Sequence, residues 1–282
     1  MVTPIDTGTT DLLAELHDDG VLVATLNRPE TRNAFSGAMG RALGELHVRA
    51  DTDDAIRVMV LTGTAPAFCA GADFSNGSEV FERSETSTFS ACPVSPPAWR
   101  IRKPVIAAVN GHAIGIGFTL TLHCDIRFMA RDAKYGIVQV RRGVMPDAFS
   151  HWTLPRIAGM ATAADLLLTG RTFTGAEALQ LGVASRVLPD EEVLPAALEV
   201  AHDIAVNTAP VSVAVTKRLL WGSFALDPAQ VDRLETELHH HVMGEPDARE
   251  GVMAFLERRE PNWSMTVTTN WPETWPGPED VL

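Results

Sequence analysis

Two short segments of small residues carry the first chemical signal in this sequence. One is Ala67-Phe68-Cys69-Ala70-Gly71-Ala72-Asp73; the other is Asn110-Gly111-His112-Ala113-Ile114-Gly115-Ile116-Gly117. Each follows an apolar run, so each sits at the C-terminal end of an expected buried strand, where α/β sheets bind ligands. Small side chains let a ligand reach backbone N–H groups. Two such loops side by side can aim two N–H donors at one oxygen, which makes an oxyanion hole. The same residues would also serve as tight turns that pack helices on strands. The spacing of Gly115 and Gly117 is not that of a dinucleotide fingerprint.

Several titratable residues invite further readings. Asp147 follows Pro146 and precedes helical periodicity, a good helix N-cap signature. His151 lies four residues later, so on one continuous helix the two would share a face, and an imidazolium there would lower the aspartate pKa. His112 stands beside the glycine turn. His239-His240-His241 do not make a metal site, because neighbours on a helix point about 100° apart and no acidic or cysteine partner stands at ligand spacing. Arg141-Arg142 reads as a solvated pair, or as a contact to a phosphate or a neighbouring subunit. Cys69, Cys92 and Cys124 form no CxxC pair and read as buried free thiols of a reducing compartment.

The elements that must position these residues follow from pattern. Val21-Leu22-Val23-Ala24-Thr25-Leu26 is a strand closed by the turn signal Asn27-Arg28-Pro29. Ser36 caps a helix running to about Arg49, with Met39, Leu43 and Leu46 on one face. Val58 to Leu61, Val105 to Val109 and Ile126 to Phe128 are further strands, and a helix is expected over 118–124. Strands alternating with helices give an α/β domain with parallel pairing. From Ala148 to about Glu260 the periodicity is helical with only short breaks. Residues 73–100 read as a lid or surface excursion. The division expected is a core over 1–205, a helical region over 206–260, and an extended Pro- and Trp-rich tail over 261–282.

Composition narrows the class. The 282 residues are 45% hydrophobic, ordinary for a globular chain, and the net charge is −13. That acidity argues against a nucleic-acid binder and against a polybasic membrane-surface protein. The most apolar stretch, 104–122, is broken by Asn110, His112, Thr119 and glycines, so it reads as buried core and not as a membrane span. No signal peptide is visible, and a cytoplasmic protein is expected.

Taken together and in order, the segments are far more specific. They are residues 21–35 with Leu26-Asn27-Arg28-Pro29 and Asn33-Ala34, the FCAGAD loop, Lys103-Pro104-Val105-Ile106-Ala107-Ala108-Val109-Asn110-Gly111, Cys124-Asp125-Ile126-Arg127, Leu168-Thr169-Gly170, Gly182-Val183-Ala184, and Arg249-Glu250-Gly251-Val252-Met253-Ala254-Phe255-Leu256. The chain resembles the crotonase family, the enoyl-CoA hydratase/isomerase superfamily, over about Val21 to Trp263. The resemblance implies a crotonase-like ββα spiral core with a C-terminal helical trimerisation region, a homotrimer or hexamer, and an acyl-CoA thioester as substrate. Coenzyme A enters as part of the substrate, and no separate cofactor or metal is implied. The oxyanion-hole N–H groups fall at Ala72 and Ile116. Ala70, Gly71, Asp73, Gly115, Gly117, Thr119 and Gln139 fall in the substrate-binding surroundings.

The departures from the family pattern decide the expected reaction. Hydratase members carry one glutamate in the helix after the glycine turn and a second about twenty residues later; here those positions hold Thr119 and Gln139. Neither titrates near neutral pH, and hydration needs a positioned base and acid. Asp147 matches the position where the family's isomerases carry a catalytic glutamate and its aryl-CoA dehalogenases a nucleophilic aspartate. An acyl-CoA isomerase of fatty acid metabolism, with Asp147 as its acid–base residue, is therefore expected in preference to a hydratase (a lyase). Two rivals stand beside it: a non-catalytic acyl-CoA-binding protein, and a dehalogenase-like hydrolase using Asp147 as nucleophile.

Overall fold

In a computed structural model the chain is described over residues 1–74, 77 and 90–272. Runs of aliphatic residues become strands. β1 (Val2–Ile5) and β2 (Leu12–His17) lead into β3 (Val21–Leu26), and α1 (Gly37–Thr52) follows. Ser36 caps α1 as expected, its hydroxyl accepting from the Met39 N–H at 3.1 Å. Then come β4 (Val58–Gly63), β5 (Ala67–Cys69), β6 (Val105–Val109), β7 (His112–Ile114), α2 (Ile116–Thr119), β8 (Ile126–Ala130) and β9 (Lys134–Gly136). α3 (Ser150–Thr169), β10 (Thr172–Thr174), α4 (Gly175–Gln180), β11 (Arg186–Leu188) and α5 (Asp190–Asn207) follow, and α6 (Pro210–Gly222), α7 (Pro228–Met243) and α8 (Pro246–Glu257) complete the order.

Among the described residues the strands make two sheets. One has seven strands in the order β1-β2-β3-β4-β6-β8-β11, parallel from β3 onward; the other has four in the order β10-β9-β7-β5. Between β4 and β8 the chain alternates between them, so each turn of chain lays one strand on each sheet. This is the α/β spiral expected. β4 and β6 are buried along their whole length, as continuous apolar runs require. α5 covers the large sheet with Val193, Ala197, Ala201 and Ala205, a one-face stripe at intervals of four.

The motifs distant from the glycine loops serve this frame. Asp125 Oδ2 accepts from the Val105 N–H at 2.7 Å and pairs with Lys217 Nζ at 2.8 Å. Arg127 is buried and donates through Nε to the Val183 carbonyl at 2.9 Å, which joins two of the sequence motifs. A second, smaller hydrophobic cluster of Val211, Val215, Leu238 and Met265 sits beneath α6 and α7.

Several expectations need correction. The helical stretch from Ala148 is interrupted by β10 and β11, whose three residues each are too few to show a period of two. The helix expected over 118–124 begins earlier, as α2, and tightens into a 3-10 turn over Leu120–His123. Of the excursion over 73–100, residues 75, 76 and 78–89 lie outside the described residues. The segment from Val94 to Trp99 is not a surface excursion: both residues are buried, and the Ser95 carbonyl packs on Gly44. The described part of the tail, 261–272, has no helix or strand, makes a turn closed by the Asn270 N–H on the Thr266 carbonyl at 2.9 Å, and is anchored by Trp263 Nε1 donating to the Val206 carbonyl at 2.9 Å. No described helix is long and apolar enough to cross a membrane.

Two buried histidines clamp this frame. His47 Nδ1 donates to the Pro96 carbonyl and His123 Nε2 to the Ala148 carbonyl, each at 2.7 Å. Burial pushes both imidazoles down from 6.5 to about 4. The unfolded chain therefore takes up these protons first. The stability contributed by the neutral rings is complete above about pH 6.5 and is lost as pH falls toward about 4. The melting temperature should drop through that window, and His47→Gln should remove part of the drop; identical pH profiles for variant and parent would contradict it.

Candidate active site

The two glycine loops leave adjacent strand ends. β5 and β7 are parallel neighbours, with Cys69 opposite Ala113, and neighbouring strands lie about 4.8 Å apart. Two glycines permit this approach. A Cβ on Gly117 would stand 2.4 Å from the Cys69 carbonyl oxygen and 2.8 Å from its sulfur. Gly71 has φ +101°, and a Cβ there would lie 2.8 Å from the Ile114 carbonyl. The loops are thus pressed together by residues that only glycine can occupy.

Residues 27–35 strap the first loop from outside. The Phe35 N–H donates to the Gly71 carbonyl at 2.8 Å, and the Ala70 N–H to the Arg32 carbonyl at 3.0 Å. Asn33, fully buried, donates through Nδ2 to the Thr64 and Ala67 carbonyls at 2.7 Å each. Arg28 pairs with Asp73 Oδ2 at 2.9 Å and donates to the Ala34 carbonyl at 2.8 Å. Within the described residues the N–H groups of Ala72 and Ile116 have no acceptor. Two donors are therefore left at the ends of paired strands, where an oxyanion could take both.

Asp147 stands on the turn that precedes α3. Its Oδ1 accepts from Thr119 Oγ1 at 2.7 Å and from Gln139 Nε2 at 3.1 Å. The Thr119 hydroxyl also lies 3.3 Å from the Ile116 carbonyl, but it has one proton, and the nearer carboxylate is the stronger acceptor. Neither donor reaches Oδ2. Desolvation raises the Asp147 carboxyl above its ordinary range, against the downward pull of the Thr119 and Gln139 hydrogen bonds and of His151. The two positions singled out by the departures thus converge on one half-buried carboxylate.

The turn that presents Asp147 is strained. Ala148 and Phe149 are both left-handed, with φ 48° and 52°, at about 1–2 kcal/mol each. Tertiary bonds hold them there. The Ala148 N–H donates to the Ala91 carbonyl at 2.8 Å, and the Ala148 carbonyl accepts from His123. The Phe149 ring meets Trp99 edge-on at 5.8 Å, and Trp99 packs on Trp152 at 4.9 Å.

This geometry overturns the capping reading. The residue before α3 is Phe149, no side chain caps that end, and Asp147 lies outside the helix. Asp147 and His151 therefore do not share a helical face, although His151 is near enough to act on Asp147 through its charge. His112 has a structural duty, its Nδ1 accepting from the Lys134 N–H at 2.8 Å. Arg141 donates to the Thr169 carbonyl at 2.8 Å, so it is not simply solvated. His241 bonds the Asn270 carbonyl, and no group of three or more metal-ligating side chains occurs among the described residues. Asn33 and His123, which position the first loop and the Asp147 turn, were not apparent as site residues; nothing in their spacing ties them to Ala67 or Ala148.

Comparison with known proteins places this arrangement. The sequence profile described as enoyl-CoA hydratase/isomerase matches residues 17–266. An enoyl-CoA hydratase from Alternaria alternata is 37% identical over 251 residues, covering 88% of this chain and 84% of the relative. A mevalonyl-coenzyme A hydratase from Aspergillus fumigatus is 35% identical, covering 86% and 91%. Among solved structures, a probable enoyl-CoA hydratase/isomerase from Mycobacterium abscessus superposes with a TM-score of 0.87 at 53% identity, covering 91% of this chain and 99% of that one. The chain belongs to the enoyl-CoA hydratase/isomerase family and is an acyl-CoA-processing enzyme of the crotonase fold.

The contact of Gly117 with Cys69 offers a direct check. Gly117→Ala should lower stability by about 1–3 kcal/mol, the usual range for overpacking, measured by urea unfolding. Wild-type stability in the variant would mean that the loops are not pressed together.

Proposed function

We propose that the protein is an acyl-CoA isomerase that moves a double bond with one carboxylate. The observation that carries this reading is the pair of hydrogen bonds from Thr119 and Gln139 to Asp147 Oδ1. Where hydratases of the family use two acids, this site has one acid and two neutral donors that orient it. In a 3-enoyl thioester, the Ala72 and Ile116 N–H groups hold the carbonyl oxygen. Asp147 Oδ2 takes a proton from C2, and the electron pair enters the thioester as an enolate. The same proton returns to C4 as the double bond moves from C3–C4 to C2–C3. Atoms balance with no water consumed. Ala70, Gly71, Asp73, Gly115 and Gly117 line the approach to the carbonyl site.

Support comes from the proton balance of the site. The raised Asp147 carboxyl is a better base than an exposed aspartate. Hydration would need a second group to activate water, and both neighbours at the required positions already donate to Asp147. A mere binding protein would have no use for a desolvated carboxylate on a strained turn. The assembly that fits this reading is a homotrimer or hexamer in the cytoplasm. Its support is the apolar surface left on the C-terminal helices, where Met243, Val252 and Leu256 are exposed and Phe255 is 81% exposed. The separate hydrophobic cluster under α6 and α7 supports treating residues 206–260 as the region that builds this interface.

Two measurements test these statements. In a turnover screen of 2-enoyl-, 3-enoyl- and aryl-CoA thioesters, 3-enoyl substrates should isomerise while crotonyl-CoA is hydrated slower by orders of magnitude. Asp147→Asn should lower isomerisation by roughly 10²-fold or more with little change in melting temperature. The wild-type rate should rise with pH through a value above the 3.8 of an ordinary aspartate. Full turnover by the Asn variant ends the acid–base assignment, and a covalent aspartyl adduct would mark Asp147 as a nucleophile. Light scattering at micromolar concentration should give a mass of three or six chains; a monomer contradicts the proposed assembly.

A further inference from the structure

Gly40, buried on α1, touches chain segments that lead to both halves of the site. A Cβ there would stand 2.7 Å from Cζ of Phe35 and 2.9 Å from the Pro93 carbonyl oxygen. Phe35 belongs to the oxyanion side. Its N–H donates to the Gly71 carbonyl at 2.8 Å, and it forms an isolated parallel bridge with Ala72. Pro93 belongs to the base side. Two residues before it, the Ala91 carbonyl accepts from the Ala148 N–H at 2.8 Å, next to Asp147. The stretch between is braced locally. The Ser90 hydroxyl bonds the Cys92 carbonyl at 3.0 Å and the Cys92 N–H at 3.1 Å, and the Cys92 thiol donates to the Val94 carbonyl at 3.2 Å. α1 grips the same stretch twice more. A Cβ on Gly44 would meet the Ser95 carbonyl oxygen at 2.5 Å, and His47 donates to the Pro96 carbonyl at 2.7 Å. A displacement of Pro93 is therefore passed to the Asp147 turn and not absorbed on the way.

We propose that Gly40 is a positioning residue, the joint that sets the separation between the oxyanion loop and the carboxylate of Asp147. This rests on the isomerase reading above. In that reading one carboxylate serves both C2 and C4 while the carbonyl oxygen stays on the Ala72 and Ile116 N–H groups. The covalent frame of the thioester fixes how far those two carbons stand from that oxygen. The two halves of the site must keep a matching separation. The strap that carries Phe35 and the segment that carries Pro93 meet at Gly40. A methyl group there would drive them apart, or drive α1 away from both. A misplacement of about 1 Å caused far from the reacting atoms can cost about 10²-fold in rate.

The test compares Gly40→Ala with Gly37→Ala. The second adds the same methyl group to an exposed position of the same helix, where it would meet only the end of the Arg41 side chain, at 3.4 Å. Isomerisation of a 3-enoyl thioester is followed on the full-length protein, well below its melting temperature. Gly40→Ala should lower kcat by about 10- to 100-fold with a much smaller change in KM. Gly37→Ala should leave both unchanged. Phe35→Leu removes the ring atoms that the new methyl group would strike. Alone it leaves the joint slack and should also lower kcat. Combined with Gly40→Ala it should recover much of the lost kcat, so the two substitutions are non-additive. Full kcat in Gly40→Ala, an equal loss in Gly37→Ala, or a double variant no faster than Gly40→Ala overturns the inference and leaves the isomerase reading intact. If Gly40→Ala does not fold, Phe35→Leu decides alone, and an unchanged kcat overturns the inference. If the wild type does not isomerise the substrate, or Asp147→Asn keeps full turnover, the isomerase reading falls and this inference falls with it.

Discussion

Thr119 and Gln139 end on the same oxygen of Asp147, and the chemistry of the site turns on the oxygen they leave. A carboxylate whose two oxygens were both engaged would be a structural anion with little appetite for a proton. One with neither engaged would rotate freely. Holding Oδ1 with two donors fixes the plane of the carboxylate and directs Oδ2. The same bonds lower the carboxyl's affinity for a proton while burial raises it, and burial is the larger effect. The result suits a group that must take a proton and give it back.

That arrangement is held from outside by neutral groups. The left-handed pair Ala148 and Phe149 is unfavourable for both residue types, so the turn persists only because the surroundings over-determine it. His123 supplies a donor to the Ala148 carbonyl, Ala91 an acceptor for its N–H, and Trp99 a wall for the Phe149 ring. Because burial keeps His123 neutral near pH 7, it adds no charge that would pull the Asp147 carboxyl down. A cation in its place would stabilise the carboxylate and weaken the base.

The frame was largely legible in the sequence, and the site only in part. β4 and β6 were plain because strands buried on both faces leave continuous apolar runs. Ser36 was plain because a cap is a local event. β5, β7 and β9 have three residues each, too few for any periodicity, although the loops that follow β5 and β7 stood out by composition. Of the two readings Asp147 carried, helix cap and acid–base residue, the cap is overturned. Alanine and phenylalanine rarely adopt left-handed backbone, so a proline–aspartate pair before them looks like the start of a helix. Its bonds to Thr119 and Gln139 span 28 and 8 residues, separations that no local pattern encodes. The family resemblance marked Thr119 and Gln139 as departures and Asp147 as a match to a catalytic position, but the coordinates were needed to bring them into contact.

The two departures and the carboxylate that remains are not independent of one another. Had Thr119 and Gln139 merely replaced two acids at random, nothing would require their hydrogens to meet. A threonine hydroxyl and a glutamine amide are among the few uncharged groups able to donate across these gaps. Two glutamates there would crowd Asp147 with negative charge and raise its proton affinity further. Donors at both positions favour the ionised form of a single aspartate against the pull of desolvation. Under the proposed isomerase reading, Thr119, Gln139 and Asp147 form one electrostatic arrangement, in which each neutral neighbour spares the carboxylate a like charge.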